Sequence, residues 1–274
     1  MSIETAAPLW DHDFARRAPW FAHLRALAEK LPQIGWPNVE VLDHVALETG
    51  RRIVNARGQR IRFVGNDDAA HADHAYEPLT YEHGQVRVRP IDWHDLFNAL
   101  VWMTFPTAKA AVNARHQQAI EAAAGGARSP VRDALTHFDE DGMVVLCADP
   151  MLSGLLRDFA WKPLFCDHRA QVAQSMHFVA FGHALYDKLR APFLGLTAKC
   201  IVFDVAPESL AREREALRAQ IDRLLAPYIL DPAHLLSPRE LQPLPVLGVP
   251  GWWPDNEDAR FYDNADYFRP GRRA

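Results

Sequence analysis

Two short helical stretches place imidazoles and amides where they could share a pocket. In I-D-W-H-D-L-F-N-A-L-V-W-M-T-F-P-T-A-K-A-A-V-N-A-R-H, His94 and Asn98 are four residues apart on one helix face, and Asn113 and His116 are three apart on the next helix. An antiparallel pair would bring these groups together as a polar pocket or a metal site. The plainer alternative is structural: the asparagines bond backbone at the helix junction, and the histidines cap or sit half exposed.

A second cluster, R-D-A-L-T-H-F-D-E-D-G, carries Arg132, Asp133, His137, Asp139, Glu140 and Asp141. Crowded carboxylates raise one another's pKa or hold a divalent cation, as general acid–base or metal-assisted chemistry requires. Turn chemistry alone would also select Asp139 to Gly142, and a salt bridge to Arg132 would satisfy Asp133. In H-F-V-A-F-G-H-A-L-Y-D-K, read as helical, Val179, His183 and Asp187 lie at four-residue steps, so Asp187 could orient His183 as a base or ligand, while His177 falls on another face. A satisfied core histidine is the alternative. The run P-L-P-V-L-G-V-P-G-W-W-P-D-N sets Trp252 and Trp253 beside Asp255, Asn256, Glu257 and Asp258, where they could stack a ligand ring or dock against the body. His71, Asp73 and His74 fall in a polar loop from Asn66 that lacks the rigid support of a metal site.

These constellations give the expected roles: His116, Asp133, His183 and Glu140 catalytic; Asn98, Asn113, Arg132 and Trp252 on the substrate; and His116, Asp139 and His183 around a divalent metal. No high-specificity signature accompanies them, neither G-x-S-x-G, G-x-x-x-x-G-K-[ST], H-E-x-x-H nor G-x-G-x-x-G.

The elements that must position these residues are read from periodicity and punctuation. An apolar-periodic helix is expected from Phe14 to Leu31, then strands at Arg60 to Gly65 and Gln85 to Arg89. Helices follow from Trp93 to Met103 and from Pro106 to Ala124, the second ended by Gly125-Gly126. R-D-A-L-T-H-F and M-V-V-L-C-A read as a β-hairpin turning at Asp139 to Gly142, with Gly142 supplying a positive φ. Asp149-Pro150 opens a short helix, Val172 to Leu189 forms another, Ala198 to Val205 is a buried strand, and Ser209 to Leu225 is an amphipathic helix with a solvated charged face. The aromatics of Pro243 to Ala274 suggest an extended strap across the body.

The expected fold is therefore α+β: a helix-rich body around a small, mainly antiparallel sheet, with an extended aromatic C-terminal strap. A parallel crossover between the second hairpin strand and Ala198 to Val205 is the alternative. Its segments are 1–90, 91–242 and 243–274, packed as one unit.

Composition narrows the function classes. The 274 residues are 49% hydrophobic and carry 30 basic and 35 acidic side chains, a net charge of −5 that disfavours nucleic acid as a partner. No window approaches the roughly 18 apolar residues of a membrane span, and the first residues lack the pattern of a signal peptide. Cys147, Cys166 and Cys200 are isolated in apolar contexts and read as buried thiols of a reducing, cytoplasmic compartment.

The four stretches D-W-H-D-L-F-N-A-L-V-W with F-P-T-A-K-A-A-V-N, R-D-A-L-T-H-F-D-E-D-G, F-G-H-A-L-Y-D-K and P-L-P-V-L-G-V-P-G-W-W-P-D-N together resemble the domain of unknown function 3025 family, over most of Asp92 to Pro270. The resemblance implies a bacterial, cytosolic origin and carries no reaction, cofactor or catalytic residue. Two functions are thus weighed. One is a hydrolase-like enzyme with a His/Asp/Asn pocket around a divalent metal; the other is a non-catalytic binding or scaffold protein whose buried polar network is structural.

Overall fold

Asp92 and Pro106 open the two helices that carry the first cluster. The Asp92 carboxylate accepts from Asp95 N at the start of one, and Pro106 occupies the first turn of the other, where its missing N–H costs nothing. The computed structural model of the protein describes residues 8–66, 75–123 and 129–271. The loop histidines at 71 and 74, Asp73 and the Gly125-Gly126 stop fall outside them.

The expected N-terminal helix is broken into 3₁₀ turns at Phe14–Arg16 and Pro19–Phe21 and a single α-turn, α1 (Arg25–Ala28). Pro19 cannot continue a helix from the preceding residues; the two 3₁₀ turns bury Phe14, Trp20 and Phe21, and α1 buries Leu27 and Ala28. Helix α2 (Val39–Glu48), which periodicity did not mark, is capped by Asn38. Strands β1 (Arg62–Val64) and β2 (Gln85–Arg87) pair in parallel, with α3 (Tyr76–His83) between them in sequence. Next come α4 (Trp93–Thr104) and α5 (Pro106–Ala122), joined through Phe105 alone.

The hairpin is corrected. Residues Pro130–Asp141 form a helix, α6, started by Ser129 as cap and Pro130 in the first turn, and only Gly142–Cys147 is a strand, β3. Ala134, Leu135 and Phe138 are buried on one side of α6, so the helical period wins over the alternation that suggested a strand. Gly142 has φ −68°, not the expected positive value, and its lack of a side chain instead permits close packing against Phe138 O.

After α7 (Pro150–Arg157) and a wide turn at Pro163–Asp167, the expected single helix over Val172 to Leu189 divides into α8 (Arg169–Ser175), β4 (Met176–Ala180) and α9 (His183–Lys188). M-H-F-V-A is rich in β-formers and lies beside an open edge of β3, and Gly182 separates strand from helix. Strand β5 (Thr197–Asp204), helix α10 (Arg214–Leu230) and β6 (Gln242–Pro245) complete the regular elements.

The sheet order is β4-β3-β5-β6. Strand β3 runs antiparallel to β4 and parallel to β5, and β6 is antiparallel to β5. The fold is α+β as expected, but its sheet is mixed: the crossover from β3 to β5 exists alongside two antiparallel pairings. All six residues of β3 are buried, which is why it reads as an unbroken apolar run.

One contiguous hydrophobic core reaches from Phe14 to Phe268 and includes residues of all three segments. The tail packs as a strap pinned by polar anchors: Asn256 Nδ2 donates to Leu247 O and Val249 O, Tyr262 Oη to Gly248 O, and Tyr267 Oη to Leu196 O. Among the described residues no helix is long and apolar enough to cross a membrane.

Candidate functional site

Two glycines bring the ends of four elements together, α6, β3, β4 and α9. A Cβ on Gly182 would stand 2.2 Å from Glu140 O and 2.4 Å from Gly142 N, and one on Gly142 would stand 2.1 Å from Phe138 O. With neither side chain present, Gly182 N donates to Gly142 O at 2.9 Å, and the β4–α9 turn seats directly on the α6–β3 junction. His183, the first residue of α9, is thereby set against Asp139 and Glu140 at the end of α6. His94 arrives from the first turn of α4. Its approach is fixed by Arg89, whose guanidinium makes two 2.8 Å bonds to the Asp95 carboxylate and whose N–H adds a third. Between them Ile91 adopts φ 57°, a left-handed conformation that a β-branched residue takes only under constraint.

The donor atoms converge closely. His183 Nε2 lies 3.1 Å from His94 Nε2, and Glu140 Oε2 lies 3.6 Å from the first and 4.0 Å from the second. One ligand atom from each of His94, Glu140 and His183 lies within 4.8 Å of the others. The other nitrogen of His183, Nδ1, faces Asp139 Oδ2 at 3.7 Å, and Asp139 Oδ1 accepts from Lys109 Nζ at 2.5 Å.

These groups floor a cavity of about 380 Å³, also lined by Tyr76, Glu77, Arg87, Asn98 and His116. Asn113 Nδ2 donates to Glu77 Oε2 at 2.6 Å, and His116 Nε2 lies 3.8 Å from Glu77 Oε1. The Tyr76 hydroxyl accepts from Asn98 Nδ2 at 2.8 Å and Trp102 Nε1 at 3.3 Å, which leaves its own hydrogen to donate. The size suits a small ligand.

Burial sets the protonation states. It is the largest cause holding the His183 imidazolium down to a pKa of about 3, beyond the opposing pull of Asp139, so His183 is neutral and able to ligate. Burial, followed by the negative charge of Asp139, pushes Glu77 up to about 7 against the hydrogen bond from Asn113. The same two causes raise Glu140 above the usual carboxylate range. Asp139 is the exception: burial would raise it, but the charge and hydrogen bond of Lys109 outweigh burial and hold it ionised. Lys109 in turn stays charged, because the Asp139 carboxylate, by charge and hydrogen bond, outweighs its desolvation.

Of the residues singled out in the sequence, Asn98, His116, Asp139, Glu140 and His183 line this cavity, and Asn113 reaches it through Glu77. Arg132 and Asp133, in the first turn of α6, do not line it, although the Arg132 charge is felt at Glu77. Trp252 faces a separate cleft, packed on Trp20 and Phe178. The cluster also differs from the expected metal set. His94 stands where His116 was expected, His116 turns to Glu77, and Asp139 backs His183 through Nδ1. Asp187 pairs with Arg190 instead of orienting His183.

Sequence reasoning passed over Lys109, Glu77 and Tyr76. A lysine inside T-A-K-A-A-V was a readable signal, since a cation on an apolar helix face needs a buried partner. Nothing local marks Glu77 or Tyr76, which approach from α3.

The protein family described as Protein of unknown function (DUF3025) matches residues 61–272, and the chain belongs to it. No curated protein and no solved structure matches the chain.

Proposed function

We propose that this member of a family without an assigned reaction is a divalent-metal-dependent hydrolase of small polar substrates, with His94, His183 and Glu140 as metal ligands. The observation that carries the reading is the spacing of the donor atoms, 3.1, 3.6 and 4.0 Å. Two ligands held about 2.0–2.1 Å from one tetrahedral ion stand about 3.3 Å apart, so small adjustments would close the three atoms around a cation. A scaffold protein has no need of a cavity beside such a cluster, and this favours the enzyme over a purely structural network.

Three protein ligands leave a coordination position for water or substrate, and the ion would supply Lewis acidity and a water acidified toward neutral pH. The chain's own groups divide the remaining work. Asp139, fixed by Lys109, stands 3.7 Å from His183 Nδ1, longer than a hydrogen bond, and its charge favours a proton on Nδ1 that leaves Nε2 free to ligate. Glu77, poised at about 7, takes and returns a proton at neutral pH. The Tyr76 hydroxyl donates to a substrate oxygen that gains charge in the transition state. The free thiols of Cys147, Cys166 and Cys200 support a reducing, cytoplasmic setting, and a bacterial source rests on the family resemblance.

The test is a panel of carboxylic esters, amides and phosphoesters offered to metal-stripped protein with Zn²⁺, Mn²⁺ or Mg²⁺ restored. Turnover of at least one class is expected with metal only, falling on the order of 10²-fold or more in Glu77→Gln. Turnover that survives His183→Ala undiminished would sink the proposal.

A further inference from the structure

A second cavity, apart from the histidine site, is the larger of the two. A cleft of about 730 Å³ opens where the N-terminal turns, α8, β4, the start of α10 and the tail meet. One side is apolar and aromatic, with Trp252 tilted against Trp20 at 5.8 Å and edge-on to Phe178 at 6.5 Å. The other side gathers His23, His177, Arg212 and Arg214 against a single acid, Glu213.

Two details separate this cleft from an ordinary charged surface. His23 lines the cleft, and its Nδ1 is buried without a hydrogen-bond partner among the described residues, a cost that a ligand reaching the ring would relieve. Arg212 and Arg214 are exposed and make no ion pair among the described residues, while most other arginines near acids here are paired. Unpaired guanidinium groups crowded beside an imidazole are mutually unfavourable until an anion joins them. His177 is committed elsewhere, with Nε2 3.2 Å from Leu210 O, so it shapes the wall and keeps its ring in place.

We propose that this cleft is a second binding site, separate from the histidine cavity, for an anion carrying a flat apolar body. The carboxylate or phosphate end meets Arg214, Arg212 and His23, and the apolar end lies against Trp252. The assignment gives Trp252 the ligand-stacking role that its sequence suggested, at a place the catalytic proposal does not use. It does not rest on that proposal.

The probes are 2-naphthoate, 1-naphthyl phosphate and the neutral 2-naphthamide, titrated calorimetrically into the intact protein. Saturable one-to-one binding of at least one anionic probe is expected, with the amide about tenfold weaker or more, since a charge-assisted contact is lost. Arg214→Gln and His23→Ala should each weaken the anion about tenfold, and Trp252→Ala should weaken all three probes, with the fold checked by circular dichroism. His94→Ala should leave these affinities unchanged, which separates the two cavities. Because Arg214 is exposed, its variant folds whatever happens at His23. Equal affinity for naphthoate and naphthamide, binding insensitive to Arg214→Gln, or no saturable binding would each overturn the proposal.

Discussion

Lys109 Nζ lies 2.5 Å from Asp139 Oδ1, with 2% of the lysine side chain exposed, in the interior between α5 and α6. The pair holds a carboxylate ionised behind His183 in a place where burial alone would neutralise it.

Lys109→Met should therefore destabilise the protein by about 3–5 kcal/mol in urea unfolding, because the Asp139 charge is left buried and alone. The double variant Lys109→Met with Asp139→Leu should recover most of that loss, since matched apolar replacements of buried pairs are often neutral. Recovery of stability without recovery of metal binding would assign the pair to positioning.

Glu77 makes stability depend on pH. Its folded pKa of about 7 lies above the ordinary 4.5. Between these values the folded protein keeps a proton that the unfolded chain releases, so Glu77's contribution is full below pH 4.5, falls as pH rises and is gone above pH 7. The loss is on the order of 3 kcal/mol. Glu77→Gln should flatten this part of the stability–pH curve, and an unchanged slope would show that Glu77 titrates normally.

Gly182→Ala should cost about 1–3 kcal/mol and displace His183, because the new Cβ would meet Glu140 O at 2.2 Å. Backbone cannot yield as a flexible side chain can. Thermal unfolding and the histidine resonances of the variant read the two effects separately, and a fully stable variant with unmoved His183 would contradict the packing described.

Ile91→Gly should be neutral or stabilising, against the usual cost of placing glycine in a protein. Ile91 is 45% exposed and sits at φ 57°, so the substitution removes roughly 1–2 kcal/mol of left-handed strain and forfeits little burial. A fall in melting temperature of several degrees would show that the Ile91 side chain contributes more than its backbone costs.

How much of this was legible depended on whether the information was local. Asp92 with Trp93 and the Pro106 start wrote α4 and α5 into the sequence, because caps and period agreed. Val172 to Leu189 reads as one helix because M-H-F-V-A, mostly apolar, shows no clear alternation, and only pairing with β3 decides it as a strand. At α6, Ser129-Pro130 offered a start signal that the acidic turn at Asp139 to Gly142 obscured. Half the site followed the same division. His183, Glu140 and Asp139 are neighbours through the Gly142–Gly182 contact, which no spacing rule encodes, and Glu77 and Tyr76 enter from α3, an element without a distinct period. His94 shared a recognised face with Asn98, yet its place beside His183, where His116 was expected, needed the tertiary packing of α4 on α9.

The most direct test is the metal content of the purified, untagged protein by inductively coupled plasma mass spectrometry, beside His94→Ala, His183→Ala and His116→Ala. The account predicts close to one transition-metal ion per chain in the wild type and in His116→Ala, and its loss in the other two variants. A wild type that stays metal-free after incubation with Zn²⁺ or Mn²⁺, or metal that persists without His94 and His183, would contradict it.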